Sequence, residues 1–340
     1  MLDLMDSLSR GMEAFKIHEH AETGVSAREC VYQEEKVRLY HYQARAEQGA
    51  AAPLLIVYAL VNRPYMTDLQ EGRSLIQGLL DSGIDVYLID WGYPGVEDVD
   101  LSLQDYIDVY MENCVNYICR ENDLDKLNLL GICQGGVFSL CYTALHQEKV
   151  QNLITTVTPV DFHTDKDLLS HMVRNIDIDL CVDTFGNIPG SFLNALFLSL
   201  KPYRLMGQKY VDVLDILEDT EKLENFMRME KWIFDCPDQA GIAFREFVTQ
   251  FYQQNKLVKS GVNIGGNIVD LENIEVPILN IFARDDHLVP PDSSKALNGC
   301  VSSTDYSELE FPGGHIGIYV SSRSQSMLPS AIAGWLAQRS

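Results

Sequence analysis

The sequence predicts an α/β fold: a mostly parallel, doubly wound sheet interrupted by an inserted cap, or lid, subdomain. Short apolar runs alternate with helical periodicity up to residue 157. That alternation stops over 162–270 and resumes at 277, and one apolar run ends in a tight Gly-x-Cys-x-Gly turn. Each of these points to strands feeding helices across a sheet that is covered on both faces.

Taken in order, residues 30–48 carry alternating Val31, Tyr32, Val37, Leu39 and Tyr42, the pattern of antiparallel strands at a sheet edge, followed by a turn at 47–52. Four short apolar strands follow at 54–60, 86–90, 127–132 and 153–157, separated by helical patterns near 74–81, 103–119 and 137–146. Strands spaced by helices of this length form parallel pairs. The insertion holds Asn187-Ile188-Pro189-Gly190, an apolar run at 191–200, a charged helix near 215–229 and an aromatic-rich stretch at 232–252. Strands at 277–282 and 306–311 restore the rhythm, and an amphipathic helix near 326–338 closes the chain. The segments are therefore 1–52 (N-terminal segment and edge strands), 53–161 (first part of the core), 162–270 (cap) and 271–340 (second part of the core).

Composition fits this picture: 340 residues, 46% apolar and 22% charged, are enough for a large core. A formal net charge of −23 argues against a protein whose main task is gripping nucleic acid or an anionic membrane. An anionic ligand would need a local basic pocket, which the sequence does not locate. The eight cysteines, Cys30, Cys114, Cys119, Cys133, Cys141, Cys181, Cys236 and Cys300, lack Cys-x-x-Cys pairs and zinc-type Cys/His spacing, so thiols in a reducing compartment are expected. Cys114 and Cys119 fall on different faces of a helix and read as structural. Residues 1–15 have no basic stretch ahead of an apolar run, so a secretory signal is not expected. The longest apolar stretches, 53–61 and 191–200, are about half of a bilayer span. A cytoplasmic protein without a membrane span is the expectation.

Leu129-Leu130-Gly131-Ile132-Cys133-Gln134-Gly135-Gly136 is a cysteine version of the strand-turn-helix elbow that carries the nucleophile in the α/β-hydrolase fold. A free cysteine is more often a small buried hydrophobe. Here glycines two before and two after it, where the turn crowds the backbone, favour the nucleophile. The elbow calls for an acid and then a histidine on later loops. The strand at 277–282 runs into Asp285-Asp286-His287-Leu288-Val289-Pro290, and the strand ending at Phe311 runs into Gly313-Gly314-His315-Ile316-Gly317. Asp286, in an Asp-x-x-Val-Pro setting, is preferred as the acid, with Asp285 capping the turn or facing solvent. His315, flanked by glycines, is preferred as the base, and His287 has a supporting place. His315 would take the thiol proton, while the imidazolium and the helix N-terminus at Gln134 favour the thiolate. The N–H of Gln134 and one from residues 60–62 would hold the oxyanion. No metal or cofactor is expected.

Further segments carry a likeness: Tyr58-Ala59-Leu60-Val61-Asn62-Arg63-Pro64-Tyr65-Met66-Thr67-Asp68-Leu69, Ile89-Asp90-Trp91-Gly92-Tyr93-Pro94, Thr158-Pro159-Val160-Asp161-Phe162 and Lys231-Trp232-Ile233-Phe234-Asp235. With the elbow and the Asp286 and His315 loops, the chain from about Pro53 onward resembles the catalytic subunit of class III polyhydroxyalkanoate synthases. The resemblance implies polymerisation of (R)-3-hydroxyacyl-coenzyme A, short units such as 3-hydroxybutyryl first, with release of coenzyme A. It further implies a growing chain held as a thioester on Cys133, activation of Cys133 by His315, and help from Asp286, directly or through His315, in activating the incoming hydroxyl. Val61 and Gln134 would supply the oxyanion N–H groups. A companion non-catalytic subunit (PhaE), a homodimer or hetero-oligomer, and a place at cytoplasmic polyester granules are implied too. A thioester exchanged for a thioester keeps the acyl group activated, which an ester on serine would not. Two other readings stand beside it: a Cys-type α/β-hydrolase (a thioesterase or dienelactone-hydrolase-like enzyme), and a granule-coat or scaffold protein that merely keeps the fold. The run at 191–200 reads equally as a water-excluding lid and as ordinary core.

Overall fold

The computed structural model describes residues 23–46, 52–217 and 219–339. The stretch 1–15 and the expected turn up to residue 51 lie outside them.

Eight strands form the central sheet: β1 (Glu29–Glu34), β2 (Val37–Tyr42), β3 (Leu54–Val57), β4 (Val86–Asp90), β5 (Leu127–Ile132), β6 (Val150–Thr156), β7 (Ile278–Ala283) and β8 (Tyr306–Phe311). Their spatial order is β1-β2-β4-β3-β5-β6-β7-β8. β1, β2 and β4 pair antiparallel, and every pairing from β4 to β8 is parallel. The residues explain the difference. β3, β4, β5 and β7 are buried at every position, as strands covered on both faces must be, whereas the edge strand β1 is largely solvent-facing. This is the α/β-hydrolase arrangement, with a mostly parallel sheet as the apolar runs require.

Helices cover both faces. On one side α1 (Leu75–Asp81), started by Ser74 accepting from the Gln77 N–H at 2.9 Å, packs with the closing C-terminal helix. On the other lie α2 (Met111–Asn122), entered through a π-helical turn at Asp105–Tyr110, and α3 (Gln134–His146). The insertion contributes α4 (Gly190–Ser199), α5 (Thr220–Phe234) and α6 (Gly241–Phe247), and after β8 come the short α7 (Gly317–Val320) and the long α8 (Ser322–Ala337). Phe247 and Phe251, near the end of the insertion, stack at 4.6 Å within the main core. All eight cysteines are free thiols, and Cys114 on α2 is buried while Cys119 is half-buried.

Boundaries shift where local bonds intervene. β3 stops at Val57 rather than Leu60, because the Leu60 N–H is donated to the Gln134 side chain at 3.0 Å instead of to a neighbouring strand. α5 begins at Thr220 because Asp219 caps it, accepting from the Lys222 N–H at 3.1 Å. α8 begins at Ser322, where Ser321 accepts from the Ser324 N–H at 3.1 Å. Among the elements that escaped the periodicity reading are the short antiparallel pair Asp68–Gln70 and Arg73–Ser74 and, inside the insertion, a hairpin of Val262–Ile264 and Asn267–Val269. The signal for the latter was Gly265-Gly266, at φ 57° and 93°, the positive-φ pair that a two-residue hairpin turn needs.

Candidate active site

Cys133 ends β5 and caps α3, at φ 53° and ψ −120°, a strained conformation for a residue with a side chain. The flanking glycines are sterically required. A Cβ on Gly131 would lie 2.5 Å from Gly136 Cα, and one on Gly135 would lie 2.1 Å from the Val57 carbonyl oxygen. Gly136, which the sequence reading did not single out, packs on Thr158, whose hydroxyl a Cβ would meet at 1.8 Å. Neighbouring backbone therefore comes right up to the turn, and the thiol stays at its crest.

The Asp286 and His315 loops are zipped together just beyond the sheet: the Arg284 N–H donates to Phe311 O at 2.8 Å and the Asp285 N–H to Gly313 O at 2.9 Å. That pairing turns the Asp285 side chain outward and Asp286 inward. Asp286 Oδ1 accepts from the N–H groups of Leu288 and Val289, both at 2.9 Å, and Oδ2 takes His315 Nδ1 at 2.7 Å. The Cys133 thiol lies against the same ring. Burial pushes the imidazole toward neutrality, but the Asp286 charge and hydrogen bond, with the Cys133 contact, outweigh it and raise the pKa of His315 to about 10. His287 is half-buried and lines the adjoining cavities.

Among residues 60–62, the Leu60 N–H is taken by Gln134 Oε1, while Asn62 lies beside Cys236. Val61 and Gln134 both line the cavity at Cys133. The structure thus brings Cys133, His315, Asp286, Val61 and Gln134 to one place.

Two of the segments singled out in the sequence turn out to hold each other. Asn62, at φ 60°, donates through Nδ2 to the carbonyls of Trp232 and Ile233 at 3.1 Å each, and Trp232 Nε1 returns a bond to Arg63 O at 2.9 Å. Asp235 accepts from Tyr65 at 3.1 Å and from Tyr93 at 2.8 Å, while Arg63 bonds Asp90 Oδ2 at 2.7 Å. The loop bearing Val61 is latched to the C-terminal end of α5.

A cavity of about 220 Å³ lies over Cys133, walled by Tyr58, Phe247 and Tyr319 and roofed by Leu193 and Phe197 of α4. The apolar run at 191–200 therefore faces the site with Leu193 buried, while its Phe192 is 41% exposed. A second cavity of about 370 Å³ shares His287 with the first and carries Lys166, Lys201 and Arg284. Asp286 and Asp292 line it too, Lys166 pairs with Asp292 at 3.3 Å, and Arg284 pairs with Glu310 at 2.6 Å. Among the described residues no three His, Cys, Asp or Glu side chains gather as a metal site, and no helix is long and apolar enough to cross a membrane.

Comparison with known proteins gives a consistent result. Residues 52–322 match the family model for the alpha/beta hydrolase fold, and residues 3–79 match that for the poly-beta-hydroxybutyrate polymerase (PhaC) N-terminus. The likeness thus begins at residue 3 rather than near 53. The chain is 59% identical to the poly(3-hydroxyalkanoate) polymerase subunit PhaC of Allochromatium vinosum, over 100% of this chain and 96% of that one. It is 52% identical to the protein of the same name from a Synechocystis species, over 99% and 92%. Among solved structures, a thermophilic esterase of Thermogutta terrifontis aligns with a TM-score of 0.56 at 15% identity, over 92% of this chain and 99% of that one, a likeness of fold.

Proposed function

The chain belongs to the poly(3-hydroxyalkanoate) polymerase PhaC family, and from that premise we propose that it polymerises (R)-3-hydroxyacyl units, delivered as coenzyme A thioesters, through a thioester on Cys133. The observation that carries this reading is the chain of contacts from Asp286 to His315 to Cys133 at the floor of a roofed apolar cavity.

The steps follow from the groups present. Cys133 gives its proton to His315, and the sulfur attacks the thioester carbonyl. The oxyanion is held by the N–H groups of Val61 and Gln134, the latter at the positive end of α3. As the new C–S bond forms and the old one breaks, coenzyme A leaves with the proton from His315. The 3-hydroxyl of a further acyl-coenzyme A then attacks the Cys133 thioester: His315 accepts the hydroxyl proton, the ester bond forms, and the sulfur of Cys133 takes the proton back. Both oxygens of Asp286 are engaged, by two N–H groups and by His315, which supports action through the imidazole rather than on the hydroxyl directly.

The roof of α4 serves a polymerase by keeping water from the acyl-enzyme. Lys201, with Lys166 and Arg284 if they exchange their carboxylate partners Asp292 and Glu310, offers cationic contact for the phosphates of coenzyme A beside the same site, in a chain of net charge −23. A companion subunit, an oligomer and a position at the polyester granule belong to the same proposal. Exposed Leu180, Phe185 and Phe234 on the insertion give apolar surface for such contacts.

The test is intact-mass detection of an acyl adduct after addition of 3-hydroxybutyryl-coenzyme A, with turbidity followed in parallel. An adduct lost in Cys133→Ala, together with insoluble polyester, is the expected result. Stoichiometric 3-hydroxybutyrate in a clear solution would replace the polymerase by a hydrolase.

A further inference from the structure

Tyr319 stands on α7, one helical turn after His315, with its ring edge-on to the imidazole at 6.4 Å between centroids. The residue is 1% exposed, yet its hydroxyl has no hydrogen-bond partner. Of the buried polar side-chain atoms left without a partner among the described residues, this is the one that belongs to the wall of the Cys133 cavity. A phenol placed in apolar surroundings with nothing to bond is a cost that a Phe at the same position would avoid. The cost is understandable if the partner arrives with the substrate.

We propose that the Tyr319 hydroxyl donates a hydrogen bond to the C3 oxygen of the acyl unit carried on Cys133, and so selects 3-hydroxyacyl over unsubstituted acyl thioesters. The inference rests on the polymerase reading given above. Its chemistry is specific. The thioester carbonyl has its own donors in Val61 and Gln134, while the next oxygen of the substrate, two carbons further on, would enter a pocket lined mainly by Leu, Phe, Tyr and Val side chains, where the amides of Asn62 and Gln239 are already engaged by backbone carbonyls and Asn194 is a further amide on the wall. That oxygen accepts a hydrogen bond both as a free hydroxyl and as an ester oxygen within the growing chain, so one donor serves the first unit and all later ones. Burial, together with the neighbouring Tyr58, Cys133 and Asp286, holds the phenol well above its ordinary pKa and keeps it a neutral donor throughout the working pH range. A pocket built to pair a substrate hydroxyl discriminates against the analogue that lacks it, because the pocket donor is then left unpaired.

The experiment compares Tyr319→Phe with the wild-type full chain in single-turnover acylation of Cys133 by 3-hydroxybutyryl-coenzyme A and by butyryl-coenzyme A. Rapid quench and intact mass provide the readout, and thermal melting is recorded alongside. The expected result is a fall of about tenfold in the rate ratio of hydroxylated to unsubstituted substrate, the worth of one buried hydrogen bond. Butyryl transfer changes much less than 3-hydroxybutyryl transfer, and the melting temperature does not fall. An unchanged ratio overturns the inference. Equal loss with both substrates does so too, because it places the hydroxyl on the sulfur rather than on the substrate. A lowered melting temperature gives it a structural partner instead and has the same force. Failure of both thioesters to acylate the wild-type protein overturns the polymerase reading itself, a result distinct from the other three.

Discussion

The latch between the loop at 61–65 and the end of α5 makes the most searching prediction, because it ties a remote helix to the geometry at Cys133. Asn62 carries two tasks: it adopts φ 60°, and its side chain donates to the carbonyls of Trp232 and Ile233 at 3.1 Å. Asn62→Gly keeps the first task and removes the second. Two hydrogen bonds at about 0.5–1.5 kcal/mol each put the loss at roughly 1–3 kcal/mol. Asn62→Ala adds a left-handed penalty of about 1 kcal/mol. With an unfolding entropy of roughly 2.1 cal/mol/K per residue, a loss of about 2 kcal/mol lowers the melting temperature by only about 3 °C in a chain of this size. Acylation is expected to suffer far more. Val61 precedes Asn62 and is its proposed oxyanion donor, and a shift of about 1 Å at such a donor costs up to a hundredfold in rate. Rapid-quench acylation with 3-hydroxybutyryl-coenzyme A, read by intact mass, should therefore slow by about ten- to a hundredfold in Asn62→Gly. A variant that melts lower but acylates at the wild-type rate would refute the coupling between latch and site.

Two further outcomes follow from the elbow and its partners. Gly135→Ala drives a methyl group into the Val57 carbonyl, which is backbone and cannot swing aside, so it should cost at least the roughly 1–3 kcal/mol of ordinary overpacking and abolish acylation; melting and adduct mass check both. In Asp286→Asn the charge that raises His315 is gone, so its pKa falls from about 10 and the alkaline limit of acylation moves to lower pH. The sign for stability is fixed by the same shift. A folded pKa raised above 6.5 contributes stability in full below about pH 6.5 and loses it as pH climbs toward 10, so the melting-temperature gap between wild type and Asp286→Asn should narrow over that window.

What the sequence revealed and what it withheld divide along the range of the interactions involved. The elbow was legible because the residues that carry its constraints lie within Gly131 to Gly136, even though Gly135 and Gly136 are held small by Val57 and Thr158, which are distant in the chain. The sheet was legible because strands buried on both faces are mostly apolar, and β3, β4, β5 and β7, buried at every position, carry only Asp90, Asn128 and Asn280 as strongly polar exceptions. The adjacent carboxylates were separable because the Asp-x-x-Val-Pro loop folds back on Asp286, whose Oδ1 collects the Leu288 and Val289 N–H groups. Strand ends were less legible. Nothing near Leu60 announces that its N–H will be taken by Gln134, a residue 74 positions away.

The insertion was the least readable part, for a physical reason that the run at 191–200 makes plain. A window of apolar residues with helical spacing reports how much surface a helix must hide, but not what hides it. On α4, Phe192 is open, while Leu193 sits in a small apolar cluster with Val182 and Ile188 and also lines the cavity over Cys133, so the helix belongs to core and cavity at once. Lid and core were two readings of one pattern, and how they combine shows only when a partner element is placed opposite. The same holds for Asn62 and Trp232. Each segment could be singled out alone, yet their mutual contact spans 170 positions and depends on α5 ending where it does. The roof, the latch and the unpaired Tyr319 hydroxyl all arise where the insertion or a late helix meets the core. Residues at such meeting points therefore set how the elbow is used, even though the elbow itself is written in six consecutive letters.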